Sequence, residues 1–322
     1  MNSANRSLAL VVATAAVPYG VLLLVTCGFG TYIADRVAQD GLSSLGSGLL
    51  LPTMAMLVLL LVGAAAGAVS VARQLFATRR LAEHVERYRI APTAATPPGV
   101  EVVDHDEPFA FTFGLGGPRV AVSRGLVEQL SSDELEAVVL HERYHVRARD
   151  PLKLVVARVA ARTCFFLPTV GHLVDRYLAG RELAADRRSL RDLGRPALAG
   201  ALFKVVAGPD WDELETAAAM VGPELLAVRV DQLETGTESA PPPLPRVSIA
   251  LSAFVLAVLG GIATAGALQG GLSMAASSGG SLSAADLVAA VASGGACTMG
   301  WVWLASLAFR RLAKPALTTT DA

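Results

Sequence analysis

Charged side chains are scarce in this chain: Asp, Glu, Lys and Arg make up 17% of its 322 residues, against 53% hydrophobic ones. A soluble domain carries about a quarter charged residues, so a bilayer is the first environment to consider. Net charge is also small, −1 at pH 7, which removes the basic footprint of a nucleic-acid binder; no direct nucleic-acid contact is expected. Only three cysteines occur, Cys27, Cys164 and Cys297, too few and too scattered for a disulfide framework.

What the chain has instead is long uncharged runs. Ser7–Ile33, Gly41–Ala72, Val247–Ala285 and Leu287–Phe309 contain no charged residue, and each can supply the roughly 20 apolar residues that cross a bilayer. They predict four transmembrane helices, at about 8–32, 48–72, 249–268 and 287–309, with the Gly/Ser-rich "QGGLSMAASSGGSLSA" as a loop between the last two. Pro18 and Pro52 do not veto the first two, because neighbouring groups in a membrane protein can re-satisfy the freed backbone. The first run also outlasts the 7–15 apolar residues of a signal peptide, so it is expected to be retained.

Basic residues set the orientation. Arg73, Arg79, Arg80, Arg87 and Arg89 follow the second run, and Arg310, Arg311 and Lys314 follow the fourth, whereas the intervening loops hold only Arg36. Positive flanks face the cytoplasm. The expected organisation is therefore two membrane helices in 1–76, a cytoplasmic domain over 77–246, two more helices in 247–309 and a cytoplasmic tail, 310–322. This is a multi-pass protein of the cell membrane with both termini inside and the lipid bilayer as its first partner.

Within the cytoplasmic segment, residues 76–90 read as a charged helical stalk and "APTAATPPGV" as a linker. Two β-rich runs, Phe109–Phe113 and Arg119–Ser123, flank "GLGGP" and read as a hairpin. Ser131 stands three residues before Glu134, a capping-box spacing that starts a helix, and Pro151 limits its far end. Leu152, Val155, Val156, Val159 and Thr163 recur at helical spacing and predict an amphipathic helix.

The capped helix carries "LHERYHVRARDP". Positions i and i+4 of a helix share a face, so His141 and His145 can both present a ring nitrogen to one Zn2+ ion. Glu142, beside the first, can serve as the general base for a water at that ion. A catalytic zinc takes three protein ligands and keeps one position open. Downstream, "RELAADRR" places Glu182 and Asp186 four apart: Glu182 can be the third ligand, and Asp186 can accept from the far nitrogen of a ligating histidine. His84, His105 and His172 compete for the third position. Arg188, Arg191 and Tyr177 are candidates for stabilising an oxyanion, and sequence does not select among them. The run "PRVAVS", with Val120 and Val122, is the expected sheet edge on which an extended peptide adds as a strand.

"AVSRGLVEQLSSDELEAVVLHERYHVRARDPL" followed by "RELAAD" resembles the BlaR/MecR family of membrane zinc peptidases, which are gluzincins, chiefly over residues 109–190. The resemblance implies zinc ligands His141, His145 and Glu182 with Glu142 as base, and Asp186 matches the acid four residues after the glutamate. It implies a mainly α integral membrane protein: four transmembrane helices carrying a cytoplasmic α+β gluzincin-type zinc metallopeptidase domain. Such an endopeptidase hydrolyses cytoplasmic or membrane-proximal proteins, and a winged-helix repressor in a signalling pathway is the substrate the family suggests. The chain departs from the family in lacking Ser-x-x-Lys and Lys-Thr-Gly motifs and an extracellular sensor domain, so β-lactam binding is not expected.

The HtpX and CAAX-prenyl-protease group offers an alternative, a quality-control or processing peptidase. Its members commonly place membrane helices between the motif and the glutamate, where this chain has Lys153, Arg158 and Arg162, each costing about 2.5–3.5 kcal/mol at mid-bilayer. A non-catalytic membrane relay is the third reading, and it leaves Glu142 without a task.

The charge distribution sets the first test. A reporter fused after Glu238 should be cytoplasmic and one inserted near Ser278 external; an external signal at Glu238 would reverse the topology and exclude cytoplasmic substrates.

Overall fold

The computed structural model describes residues 3–41, 50–205, 223–236 and 243–277. They are mostly helical, with one small sheet. In chain order the elements are α1 (Ser3–Asp40), α2 (Leu50–Arg87), β1 (Arg89–Ile90), β2 (Val100–Val103), β3 (Ala110–Phe113), β4 (Arg119–Ser123), α3 (Arg124–Gln129), α4 (Ser132–Ala148), α5 (Asp150–Thr163), α6 (Pro168–Leu193), α7 (Arg195–Val205), α8 (Pro223–Thr235) and α9 (Arg246–Ser277). The described residues form two compact units, one mainly from those within Ala68–Val159 and Val174–Pro242, the other from those within Ala9–Gly67, Ala160–Leu173 and 243–277.

Among the described residues two helices are long and apolar enough to cross a membrane, Arg6–Gly28 within α1 and Met54–Arg87 within α2. Pro52 lies in the first turn of α2, where its missing N–H has no helical acceptor to lose. The second expected span and the stalk are one 38-residue helix, because no Gly or Pro separates Ala68 from Arg87. The third expected span falls within α9, whose described apolar stretch, Arg246–Ile262, is shorter. α9 runs on to Ser277 through residues expected as loop: Gly and Ser lower helix propensity there, but no proline removes a backbone donor. The expected span at 287–309 and the tail 310–322 lie outside the described residues.

The helical unit is held by Leu22, Met56 and Leu60, with Tyr19, Phe166 and Leu259 packed on them. Polar ties supplement this packing. Tyr19 donates to the Leu60 carbonyl at 2.8 Å, and Thr169 Oγ1 donates to the Ser248 carbonyl at 3.0 Å. At Gly63 an added Cβ would lie 2.6 Å from the Thr163 carbonyl oxygen, so this close approach requires glycine.

The other unit is built around a four-stranded sheet of order β1-β2-β4-β3. The expected hairpin is present as the antiparallel pair β3 and β4, while β2 joins β4 in parallel. Strand alternation splits the core in two. Val100, Val102, Val120 and Val122 face Leu126, Leu135, Val138 and Val139 of α3 and α4. Val103, Phe111, Phe113 and Ala121 face Leu81 and Val85 at the end of α2. The run 91–99, expected to be a linker into a new unit, is a loop within this sheet, since β1 at the stalk's end pairs with β2.

Two further expectations are corrected. β4 is an internal strand, paired on both sides, so Val120 and Val122 are core residues, 3% and 0% exposed, and the peptide-accepting edge is not "PRVAVS". A strand of consecutive buried residues has the composition of a sheet centre, and the sheet's edge on that side is β3. The amphipathic helix exists as α5, but it buries Leu154 and Ala157 and leaves Leu152 and Val156 exposed; the buried face sits about half a turn from the expected stripe.

Burying a valine fully stabilises the fold by about 1.5–3 kcal/mol, and a proline at Val122 would also remove a ladder donor. Val122→Pro should therefore lower the melting temperature in detergent by about 6 °C or more, a loss of fold and not a selective loss of peptide binding. A variant melting like the parent would be incompatible with β4 at the sheet centre.

Candidate metal centre

The site begins with the way α4 is fixed at both ends. Ser131 accepts from the Glu134 amide and the Glu134 carboxylate accepts from the Ser131 amide, which completes the capping box. At the other end Arg149 adopts a left-handed conformation, φ 53°, and its N–H returns to the His145 and Val146 carbonyls. Leu135, Val138 and Val139 bury the adjoining face against the sheet. This sets the rotation of the helix and turns His141 and His145 inward, both buried.

The two rings converge. His141 Nε2 and His145 Nε2 are 3.1 Å apart. Glu182, from α6, brings Oε2 to 3.2 Å from His141 Nε2 and Oε1 to 3.6 Å from His145 Nε2. Ligands of one tetrahedral ion at about 2.0–2.1 Å are separated by about 3.3–3.4 Å, so these atoms fit the edges of such a site. Among the described residues they form a group able to hold a metal ion.

A second layer orients these groups. Asp186 Oδ1 lies 2.9 Å from His141 Nδ1, an ion-pair distance whose alignment falls short of a regular hydrogen bond. Asp150 Oδ2 stands 2.7 Å from His145 Nδ1. With both Nδ1 atoms facing carboxylates, both Nε2 atoms are left for a metal. Arg229 of α8 holds Asp186 with two bonds, Nε to Oδ2 at 2.7 Å and Nη2 to Oδ1 at 2.8 Å. Arg181 donates to Glu182 Oε1 at 3.1 Å, which leaves Oε2 aimed at the histidines. Backbone ties fix the three helices: Ser189 donates to the Ala137 carbonyl and Gln232 to the Leu183 carbonyl.

Charge balance shows what this site requires. Among the described residues Glu182, Asp186 and Asp150 are buried with Arg181 and Arg229, three negative charges beside two positive ones. Burying an unpaired charge is costly, and a cation between the rings removes the imbalance. Burial works against a charged His141, yet the Asp186 and Glu182 carboxylates push its pKa up to about 10. Burial likewise opposes a charged Glu182, but His145, His141 and Arg181 hold its carboxyl well below the usual range. The carboxylates that favour a positive charge on the imidazoles would favour a metal cation at the same place.

The structure brings together His141, His145, Glu182 and Asp186, with Glu142 beside them; Thr112 of β3 donates to Glu142 Oε2 at 2.7 Å. Val120 and Val122 are in the sheet core instead. His172 is helical, within α6; Pro168 begins that helix, where proline is favoured. Neither His172, His105 nor His84 joins the metal group. Arg188 pairs with Asp192 on the exposed side of α6, Arg191 is exposed, and Tyr177 is fully buried. Asp150, Arg229 and Thr112 were missed by sequence reasoning. Asp150 carried a signal, an acid five residues past His145 and next to Pro151; Arg229 and Thr112 carried none, lying 43 positions from Asp186 and 30 from Glu142.

Comparison with known proteins points the same way. Residues 34–233 match the family described as BlaR1 peptidase M56. The chain is 37% identical over 166 residues to the Protease HtpX homolog of Acidiphilium cryptum, a match covering 41% of this chain and 58% of that protein. It is 36% identical over 89 residues to Protease HtpX of Thioalkalivibrio sulfidiphilus, covering 26% and 30% respectively, and 40% identical over 83 residues to Protease HtpX of Nitrosococcus oceani, covering 24% and 28%. These matches span less than two thirds of each relative's length. The family match covers well over half of this chain, which belongs to the BlaR1 peptidase M56 family.

Proposed function

We propose that the chain is a membrane-tethered zinc endopeptidase with its active site on the cytoplasmic side. The reading rests above all on the convergence of His141 Nε2, His145 Nε2 and the Glu182 carboxylate within ligand spacing, with Glu142 next to the first ligand. Two imidazoles and one carboxylate are the donor set of a catalytic zinc that keeps a position open. Four membrane helices in 1–76 and 247–309 would carry the peptidase domain, 77–246, with the tail 310–322 inside; the basic flanks support this orientation.

Zinc, when bound there, supplies a Lewis acid for the scissile carbonyl and makes water acidic enough to react near neutral pH. The protein's own groups do the rest. Asp150 and Asp186 hold the imidazoles in the orientation that frees both Nε2 atoms. Glu142 takes the proton of the attacking water on its carboxylate and delivers it to the leaving amine. An extended peptide adds to the sheet at β3, the edge strand beside α4. The substrates are cytoplasmic or membrane-proximal proteins. A winged-helix repressor is the candidate suited to a signalling role, and the HtpX-named relatives support a processing or quality-control role. Proteins that accumulate uncleaved in cells carrying Glu142→Gln identify which.

Metal content tests the ligand set. Purified protein should hold about one zinc per chain, and His141→Ala, His145→Ala and Glu182→Ala should each lose it. Arg229→Lys, which cannot make both bonds to Asp186, should weaken zinc affinity about 10- to 100-fold. Full zinc retention by Glu182→Ala would break the assignment.

Activity tests the base. Glu142→Gln should keep its zinc while hydrolysis of labelled casein falls by about 10²–10⁴-fold. Undiminished hydrolysis would remove Glu142 from the mechanism, and zinc-loaded parent protein that leaves casein intact would count against the peptidase reading itself.

A further inference from the structure

We propose that Thr112 is a positioning residue for Glu142, so that the strand seating the peptide also aims the base. The inference rests on the peptidase reading above and deepens it. Thr112 Oγ1 lies 2.7 Å from Glu142 Oε2 and 3.0 Å from the Glu142 main-chain oxygen. A hydroxyl has one proton to give, and the nearer carboxylate is the stronger acceptor. The contact joins residues 30 positions apart and half-buried.

The strand explains why this side chain is available. Phe111 and Phe113 are buried on the α2 side of the sheet, with their rings packed edge to face at 5.9 Å. Alternation sends Ala110 and Thr112 to the opposite side, where Ala110 packs against the cluster that includes Leu135, Val138 and Val139 of α4. The register Thr112↔Val120 is fixed by the antiparallel pairing with β4. A β-branched side chain has few χ1 states, so the hydroxyl is a rigid donor, whereas an unrestrained glutamate samples several rotamers. Holding Oε2 orients the carboxylate and leaves Oε1 to take the proton of the attacking water.

Among the described strands β3 is one of the sheet's two edges, β1 being the other. A peptide added there is held by the same strand that holds Glu142, and a shift of the strand moves scissile bond and base together. Thr112 should therefore act on turnover and not on binding.

The hydroxyl can be removed at nearly constant shape. Kinetics on a quenched fluorescent peptide carrying a casein site cut by the parent protein, together with zinc content and melting temperature, compare the parent with Thr112→Val and Thr112→Ser. The expected result for Thr112→Val is a kcat lower by about 10- to 100-fold, as for the loss of a hydrogen bond to a charged group, with KM within about twofold, about one zinc per chain and parental melting. Thr112→Ser, which keeps the donor, should retain most of kcat. Unchanged kcat in Thr112→Val would overturn the proposal, as would an equal fall in Thr112→Ser, which would assign the effect to the methyl group. Loss of zinc or a lowered melting temperature in Thr112→Val would reduce Thr112 to a structural tie between β3 and α4. Glu142→Gln separates the two levels: if it cleaves as fast as the parent, the reading of the site fails, whereas an inactive Glu142→Gln beside a fully active Thr112→Val sinks the Thr112 proposal alone.

Discussion

The arrangement of the candidate metal centre depends on a buried charge imbalance. Among the described residues, Glu182, Asp186 and Asp150 sit out of water beside two buried countercharges, Arg181 and Arg229. A solvated surface could tolerate the remainder, but an interior cannot, because desolvation removes the water that would stabilise an ion. The fold brings this arrangement together and the interior leaves room for a positive charge between two imidazoles. Either a proton or a metal ion meets that demand, and the 3.1 Å approach of the two Nε2 atoms favours a single shared cation over two separate hydrogen bonds.

The rest of the unit holds those charges in register. α4 is clamped by its cap at Ser131, by the left-handed residue Arg149 and by the valine-rich face of the sheet. α6 is tied to α4 through Ser189, and α8 to α6 through Gln232 and Arg229. Each tie uses a buried polar group that would be unsatisfied if the helices moved apart, so the penalty for misalignment is the loss of hydrogen bonds in a dry interior. Rigid support of this kind is what lets a site hold its ligands at fixed separation.

Several elements were readable from local sequence. The α4 capping box, the i,i+4 histidines, the four-residue spacing of Glu182 and Asp186 and the β3–β4 hairpin all depend on neighbours within about ten positions, and the structure contains each of them. The first two apolar runs are likewise helices. Sequence and structure part where the answer depends on a distant partner. "PRVAVS" looks like an edge strand until β2, from residues 100–103, pairs with its other side. The apolar stripe legible on α5 lies half a turn away from the face that Leu154 and Ala157 bury.

The sequence by itself determined the chemistry on offer: two imidazoles one turn apart, a carboxylate beside them, a second acidic pair on a later helix, and apolar helices long enough for a bilayer. Helical and strand periodicity are local properties, so composition and spacing suffice for them. Tertiary structure alone decided which groups complete the centre. Asp150 reaches His145 across the left-handed residue Arg149 that ends α4. Arg229 reaches Asp186 across 43 positions, and Thr112 reaches Glu142 across 30. Such pairings follow from the packing of whole helices on a sheet, where a side chain's partner is set by the sum of all contacts in the core and not by its neighbours in the chain.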